Sequence, residues 1–190
     1  QRTLQNLLRE RISIKNLTLI LETIADMAPI TKNPDELSEQ ARRRLGMYFV
    51  KEFEVEPEKL IALTFDPSLE QALIGRVQRS QFDIGLVMDP EITEGILQEI
   101  DPKIREMSEQ GLTPLLITTS ELRLAFRRFM EPSYPQLIIL SYQELPTETR
   151  IEPYGSITLP QNALPPEVLQ AMHENPELNG VQEEPTPVPV

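Results

Sequence analysis

The chain has 190 residues, 39% of them apolar, with 30 acidic against 18 basic side chains and a formal net charge of −12. That length suits one large domain or two small ones, and the acidic balance argues against nucleic acid as a main partner, because neutralising phosphates needs a basic face. Cysteine is absent, which excludes disulfides, Cys-ligated zinc and thiol nucleophiles. No apolar run approaches the roughly 18 residues of a membrane span, and no signal peptide opens the chain at Gln1, so it reads as a soluble piece of something longer or as a processed chain.

The first block is helical. Leu4, Leu7 and Leu8 mark one face of a short opening helix. Leu17, Ile20, Leu21, Ile24 and Ala25 follow at the spacing of a core-facing helix, with Ser13 or Asn16 to start it and Pro29 to stop it. The intervening ISI suits an extended link. A third helix opens at NPDEL, where Asn33 caps, Pro34 takes the first helical position, and Asp35 and Glu36 complement the macrodipole. Its apolar face is Leu37, Ala41, Leu45 and Tyr48 or Phe49, and the charged KEFEVEPEKL then separates this block from the next.

The second block has the pattern of an α/β fold. LIALTF reads as a buried strand and DPSLEQALIGRV as a helix capped by Asp66 with Pro67 first; LVMDPEITEGIL repeats that arrangement with Asp89 and Pro90. Two copies do not make a solenoid, and Asp-Pro is a good helix start wherever one is needed. Pro102 must kink or restart the helix it falls in, and Gly111 ends the segment. TPLLITT, SELRLAFRRFME and QLIILS then form a βαβ unit with a right-handed crossover. Leu122, Ala125, Phe126 and Phe129 make the buried face of its helix, with Arg123 and Arg127 on the other side. RIEPYGSITL supplies a last strand that Pro153 places at an edge or a bulge.

The organisation is therefore a helical part, residues 1–56, an α/β part, residues 57–159, and a tail, residues 160–190. From Gln161 onward there are five acidic residues, six prolines and no Lys or Arg, and without that stretch the net charge is −7, with 25 acidic and 18 basic residues. Such a composition cannot bury enough apolar surface to offset its ordering entropy, so the tail is expected to be disordered or to order on a partner.

An enzyme needs convergent groups, and few are available. His173 is the single histidine and lies in the tail, so a Ser-His pair on Ser141 would require the tail to fold back, and His173 beside Glu174 is a poor metal ligand set. Glu36 and Glu39 read as helix-surface charge. The TTSEL loop begins a helix after a strand, a place that binds anions, but it lacks the glycines that phosphate loops use, so Thr118, Thr119 or Ser120 reads as a cap. Arg42, Arg43 and Arg44 in ARRRLG are solvated, paired with acids, or part of a protein interface, a role that suits arginine. Tyr142, Gln143 and Glu144, where the apolar IIL run ends, cap the strand or meet another protein.

Three stretches carry a specific resemblance. LQNLLRERISIKNLTLILETIAD (4–26), TPLLITTSELRLAFRRFMEPSYPQLIILSYQEL (113–145) and IEPYGSI (151–157) resemble the cytoplasmic region of the major export-gate protein family of bacterial type III secretion, flagellar and injectisome. The similarity spans roughly residues 1–159, and LSYQEL looks closer to injectisome members. The resemblance implies scaffolding rather than catalysis, with no cofactor and no membrane span in this part. By resemblance, residues 1–56 match a third, helical subdomain that supplies ring contacts, and residues 57–159 match a fourth, α/β subdomain. The chain would then sit at the cytoplasmic face of the inner membrane, in a nine-membered ring of its own kind. That ring would receive chaperone–substrate complexes, alongside gatekeeper and export-ATPase-complex proteins. Arg42, Arg43 and Arg44 would face outward to a neighbouring subunit, and Tyr142, Gln143 and Glu144 would be structural or meet secretion partners. Two departures stand out: Asp101-Pro102 in a usually continuous helix, and a longer proline-rich tail. The alternatives from other classes are a small α/β nucleotide- or anion-binding enzyme, and an interaction module that works through its tail.

Overall fold

The computed structural model describes residues 1–80 and 83–158; the tail reading, with His173, lies outside the described residues. The elements in order are α1 (Arg2–Arg9), α2 (Leu17–Met27), α3 (Pro34–Phe49) with a 3-10 turn (Val50–Phe53), β1 (Lys59–Phe65), α4 (Pro67–Gly75), β2 (Val77–Arg79), β3 (Ile84–Leu86), α5 (Pro90–Glu109), β4 (Leu115–Thr118), α6 (Ser120–Met130), β5 (Ile138–Ser141) with a 3-10 turn (Tyr142–Glu144), and β6 (Arg150–Ile157). β1, β4, β5 and β6 form one parallel sheet in the order β5-β4-β1-β6, so the expected α/β class is present.

Alternation along the strands loads both sheet faces. Leu60, Ala62, Leu115, Ile117 and Leu140 meet Leu7, Ile20, Ala41, Leu45 and Phe49 of the N-terminal helices. Leu63, Phe65, Leu116 and Ile139 meet Leu69 and Leu73 of α4, Ile96 and Ile100 of α5, and Phe126 of α6. The register shifts between Ala62, opposite Pro153, and Leu63, opposite Gly155, so the extra residue of the bulge is Tyr154 on β6 and β1 keeps its alternation. Pro153 thus lies both on an edge strand and beside a bulge.

Three of the expected helix caps form, whereas Asp89, expected to cap α5 as Asp66 caps α4, makes no side-chain capping bond and pairs with Arg76 at 3.2 Å. Asn16, Asn33 and Asp66 accept hydrogen bonds from the backbone N–H groups of Leu19, Asp35 and Ser68. Packing corrects several other expectations. On α1, Leu7 is buried but Leu8 is exposed. On α2 the buried residues are Ile20 and Thr23, while Leu17 and Leu21 are exposed. LTLILETIAD is apolar over more than one face, so its periodicity admits either, and the Thr23 hydroxyl goes inward because it donates to the Leu19 carbonyl at 2.7 Å.

Val77, expected to end the helix, instead opens β2 (Val77–Arg79), the first strand of an antiparallel hairpin with Ile84–Leu86. α5 runs from Pro90 to Glu109 without restarting at Pro102. Its buried row of Ile92, Ile96, Ile100 and Ile104 passes through the proline, and the Gln98 carbonyl that loses its donor is on an exposed residue, where water can satisfy it.

Candidate protein-interaction surface and the charge cluster behind it

β5 is an edge strand, and its outward carbonyls are a liability unless covered. Three arginines cover the outward carbonyl of Ile139 and those of the segment that leads into the strand. Arg127 donates to the carbonyls of Leu137 (2.9 Å) and Pro135 (3.4 Å), while Arg123 and Arg42 both donate to that of Ile139, at 3.4 and 3.5 Å. Arg123 and Arg127 do lie opposite the Phe126 face of α6, as the helical period requires, but that side is buried too. α6 packs on one layer of the molecule and α3 on the other, so their arginines meet around the open edge of the sheet.

Carboxylates from distant segments complete the cluster. Glu10 Oε2 accepts from Arg42 Nη1 at 3.0 Å and from Arg123 Nη1 at 2.8 Å. Glu39 accepts from Arg123 Nε at 2.6 Å and also from its Nη2. Glu39 is therefore not the surface charge expected from its sequence. Burial would raise the Glu10 carboxyl, but the Arg123 and Arg42 guanidiniums outweigh it and hold the group at about 2. Burial dominates at Glu39 and pushes it upward despite Arg123. Arg123 itself is held well above its ordinary range: burial opposes its charge, and Glu10, Glu39 and Glu144 overcome that.

Glu144 belongs to the same cluster. Its carboxylate accepts from Arg42 Nε through Oε1 and from the Ser141 N–H through Oε2, the latter at 2.6 Å, closing a capping box across the turn after β5. Gly46 on α3 lies directly against the Glu144 carbonyl, so close that a Cβ there would overlap it. Arg42, expected outward, is thus buried beside Glu144, with its guanidinium 5.3 Å from the Phe49 ring centre. Its position in helical register with Ala41 and Leu45 carries the reason: all three lie on the face that α3 turns to the sheet.

The remaining expected site residues are exposed. Arg43 makes no ion pair among the described residues, Arg44 pairs with Asp26 at 2.8 Å, and Tyr142 and Gln143 project from the turn. Burial and the nearby Glu70 raise the Tyr142 phenol. The structure therefore splits the six residues: Arg42 and Glu144 form an internal pair, while Arg43 and Arg44 share the outer side of α3 with exposed Met47 and Tyr48. Leu17 and Leu21 are exposed on α2, which the Arg44–Asp26 bridge ties to α3.

At the start of α6 the anion position is filled from within. Glu70 Oε1 accepts from the Thr118 hydroxyl at 2.5 Å and from the Thr119 N–H at 2.9 Å. Thr119 occupies the N-cap position but makes no side-chain capping bond. A carboxylate already rests where a phosphate would, so this end offers little to an external anion. Among the described residues no group of three His, Asp or Glu side chains could hold a metal, and no helix is long and apolar enough to cross a membrane.

The cluster residues Glu10, Glu39, Arg123 and Arg127 carry no local signal as a site. Each stands in an ordinary charged or amphipathic helical context, and only contacts between segments up to 113 positions apart reveal them.

The chain's relatives are informative at this point. A chain of 190 residues, it matches the FHIPEP family over residues 1–150. It is 30% identical over 159 residues to the flagellar biosynthesis protein FlhA of Bacillus subtilis strain 168, covering 84% of this chain and 24% of that protein. It is 31% identical over 156 residues to the Low calcium response locus protein D of Yersinia pestis, covering 82% and 22%. The two are equally similar, so the comparison favours neither the flagellar nor the injectisome branch. The chain spans about a quarter of the length of these relatives. The solved structure of the Chlamydia pneumoniae CdsV protein superposes with a TM-score of 0.71 at 28% identity, over 82% of this chain and 45% of that one. With residues 1–150 of its 190 matched by the family and a fold shared with a solved relative, this chain belongs to the FHIPEP family.

Proposed function

We propose that this chain is part of the cytoplasmic ring scaffold of a type III protein export gate, with residues 1–56 supplying contacts between subunits and residues 57–159 forming an α/β platform. The family match over residues 1–150 carries this reading. Its fold is shared with the nonameric SctV-C of EPEC, which has a TM-score of 0.66 at 23% identity. The outer faces of α2 and α3 suit such contacts: Leu17, Leu21, Met47 and Tyr48 expose apolar surface beside Arg43 and Arg44, the mix of apolar and arginine side chains that interfaces favour. Chaperone–substrate complexes would be received on the ring, and Tyr142 and Gln143 offer a contact face to such partners. The solved complex of CdsV with CdsO supports the idea that domains of this kind hold protein partners.

Sedimentation velocity across concentration tests the proposal. Association should be weakened by Tyr48→Glu and by reversing Arg43 and Arg44 to Glu, all on exposed positions. A strict monomer at high concentration would overturn the assignment of ring contacts to residues 1–56.

A further inference from the structure

Charge is distributed unevenly along this chain. Residues 1–56 are neutral, with nine acidic and nine basic side chains, whereas residues 57–159 hold 16 acidic against nine basic, a net −7. α5 alone accounts for −4 of this, with six acidic residues and two basic. Both basic residues are spent inside the helix: Lys103 pairs with Glu99 at 2.5 Å and Arg105 with Asp101 at 2.7 Å. Glu91, Glu94, Glu106 and Glu109 are exposed and make no ion pair among the described residues, so pairing leaves the acidic surplus intact. Glu91, Glu94 and Glu109 share with Gln98 and Asp101 the side of α5 opposite its buried isoleucine row.

A cleft of about 510 Å³ opens on that side, between α5 and Tyr134 in the turn after α6. Glu94, Leu97, Gln98, Asp101 and Arg105 line it, and the Tyr134 hydroxyl donates to Asp101 Oδ1 at 2.8 Å. Pro102 adds an acceptor to this side. It has no N–H, so the Gln98 carbonyl lacks the donor that residue i+4 supplies elsewhere in a helix. The proline is exposed, so packing does not account for its place in mid-helix. The cleft is thus lined by two carboxylates, an aromatic ring and a residue whose backbone carbonyl is unpaired. A lysine ammonium answers all of these, with a positive charge and three N–H donors on a stem that can lie along the Tyr134 ring. Arg105 does not fill that role: its side chain is 73% exposed, and its i,i+4 bridge to Asp101 is of the weak surface kind.

We infer that the outward face of α5 is a docking surface for a lysine-rich segment of another protein, with one lysine ammonium seated in the cleft against the Gln98 carbonyl, Glu94 and Asp101. Charge complementarity selects this occupant, because the helix keeps four glutamates that nothing on its own surface neutralises. A second copy of this chain fits less well, since its α/β part carries the same net −7 and its helical part is neutral. The inference does not rest on the ring reading. α5 packs on the sheet face opposite to α2 and α3, and a monomeric chain would keep this surface.

NMR titration of the intact 190-residue chain with a blocked Ala/Lys peptide of about 15 residues tests it, against the same peptide with glutamate in place of lysine. The lysine peptide should shift the amides of residues 90–109 and of Tyr134, and the glutamate peptide should not. Replacing Glu91, Glu94 and Glu109 together by Gln should weaken binding roughly tenfold. Pro102→Ala should weaken it at least about threefold. Its thermal midpoint should rise at the same time, because alanine returns an N–H to the Gln98 carbonyl. That variant leaves the net charge unchanged, so a general attraction between a basic peptide and an acidic chain would not respond to it. Equal affinity of the native and Pro102→Ala chains would overturn the inference, as would shifts confined to other surfaces. Shifts at α5 that grow with the chain's own concentration, with no peptide present, would also overturn it, by assigning the face to a second copy.

Discussion

Arg123 Nη1 lies 2.8 Å from Glu10 Oε2, joining α6 to the end of α1 across 113 positions of sequence. Around this pair the two helical layers of the molecule are fastened at the open edge of the sheet. The same contacts that bury the charges also cover the β5 carbonyls, so stability and protection from edge-to-edge pairing rest on one set of residues.

Acid should loosen this fastening. The Glu10 carboxyl is lowered from 4.5 to about 2 in the folded chain, because Arg123 and Arg42 outweigh its burial. A depressed carboxylate contributes stability that is fully present above the unfolded value and is lost as pH falls through the folded one. The window is therefore pH 4.5 down to about 2, and the contribution is on the order of 3 kcal/mol. Glu39 is shifted upward and acts with the opposite sign, its contribution declining as pH rises. Urea midpoints between pH 6 and pH 2.5 should show a clear fall for the native chain and a flatter profile for Glu10→Gln.

Breaking the Arg42–Glu144 pair on one side should cost more than removing both charges. Arg42→Met leaves the buried Glu144 carboxylate with only the Ser141 N–H, an expected loss of about 3–5 kcal/mol, whereas Glu144→Gln leaves Arg42 its bond to Glu10 and should lose less; the double variant should recover much of the Arg42→Met loss. Denaturant unfolding of the three variants gives the coupling. Strict additivity would show that the pair is not a unit.

Gly46→Ala tests the close approach of α3 to the turn after β5. A methyl at this position overlaps the Glu144 carbonyl, which is backbone and cannot rotate away. Alanine ordinarily stabilises a helix over glycine by about 1 kcal/mol. Here the sign should reverse, with a net loss of about 1–3 kcal/mol from overpacking. A thermal melt that shows stabilisation would mean that α3 and the turn separate easily.

Arg11, at the end of α1, sits at φ 60 in the left-handed region. Arg11→Gly should stabilise the fold by up to about 1 kcal/mol, since glycine adopts the left-handed backbone without the penalty that a Cβ imposes. Gly111→Ala, at the matching end of α5, should destabilise by a similar amount; no other heavy atom lies near its Cβ position, so the effect isolates the backbone. Paired chemical denaturation curves read both.

What the sequence determined by itself is whatever depends on neighbours within a few positions. Asn16, Asn33 and Asp66 cap their helices through bonds to residues two or three positions on. The βαβ unit and the edge placement of Pro153 follow from patterns inside single segments. Where a segment's pattern is compatible with two outcomes, tertiary packing chose. α2 could bury Leu17 and Leu21 or the Ile20–Thr23 side, and its seat on the sheet layer selected the latter. Val77 left its helical pattern because β3 gave it a strand partner. The charge cluster is the extreme case. Whether Arg42, Arg123 or Glu39 faces water depends on partners about 80 to 110 positions away. A charge is buried only when those partners arrive together, because desolvation must be offset by ion pairs and hydrogen bonds made at once.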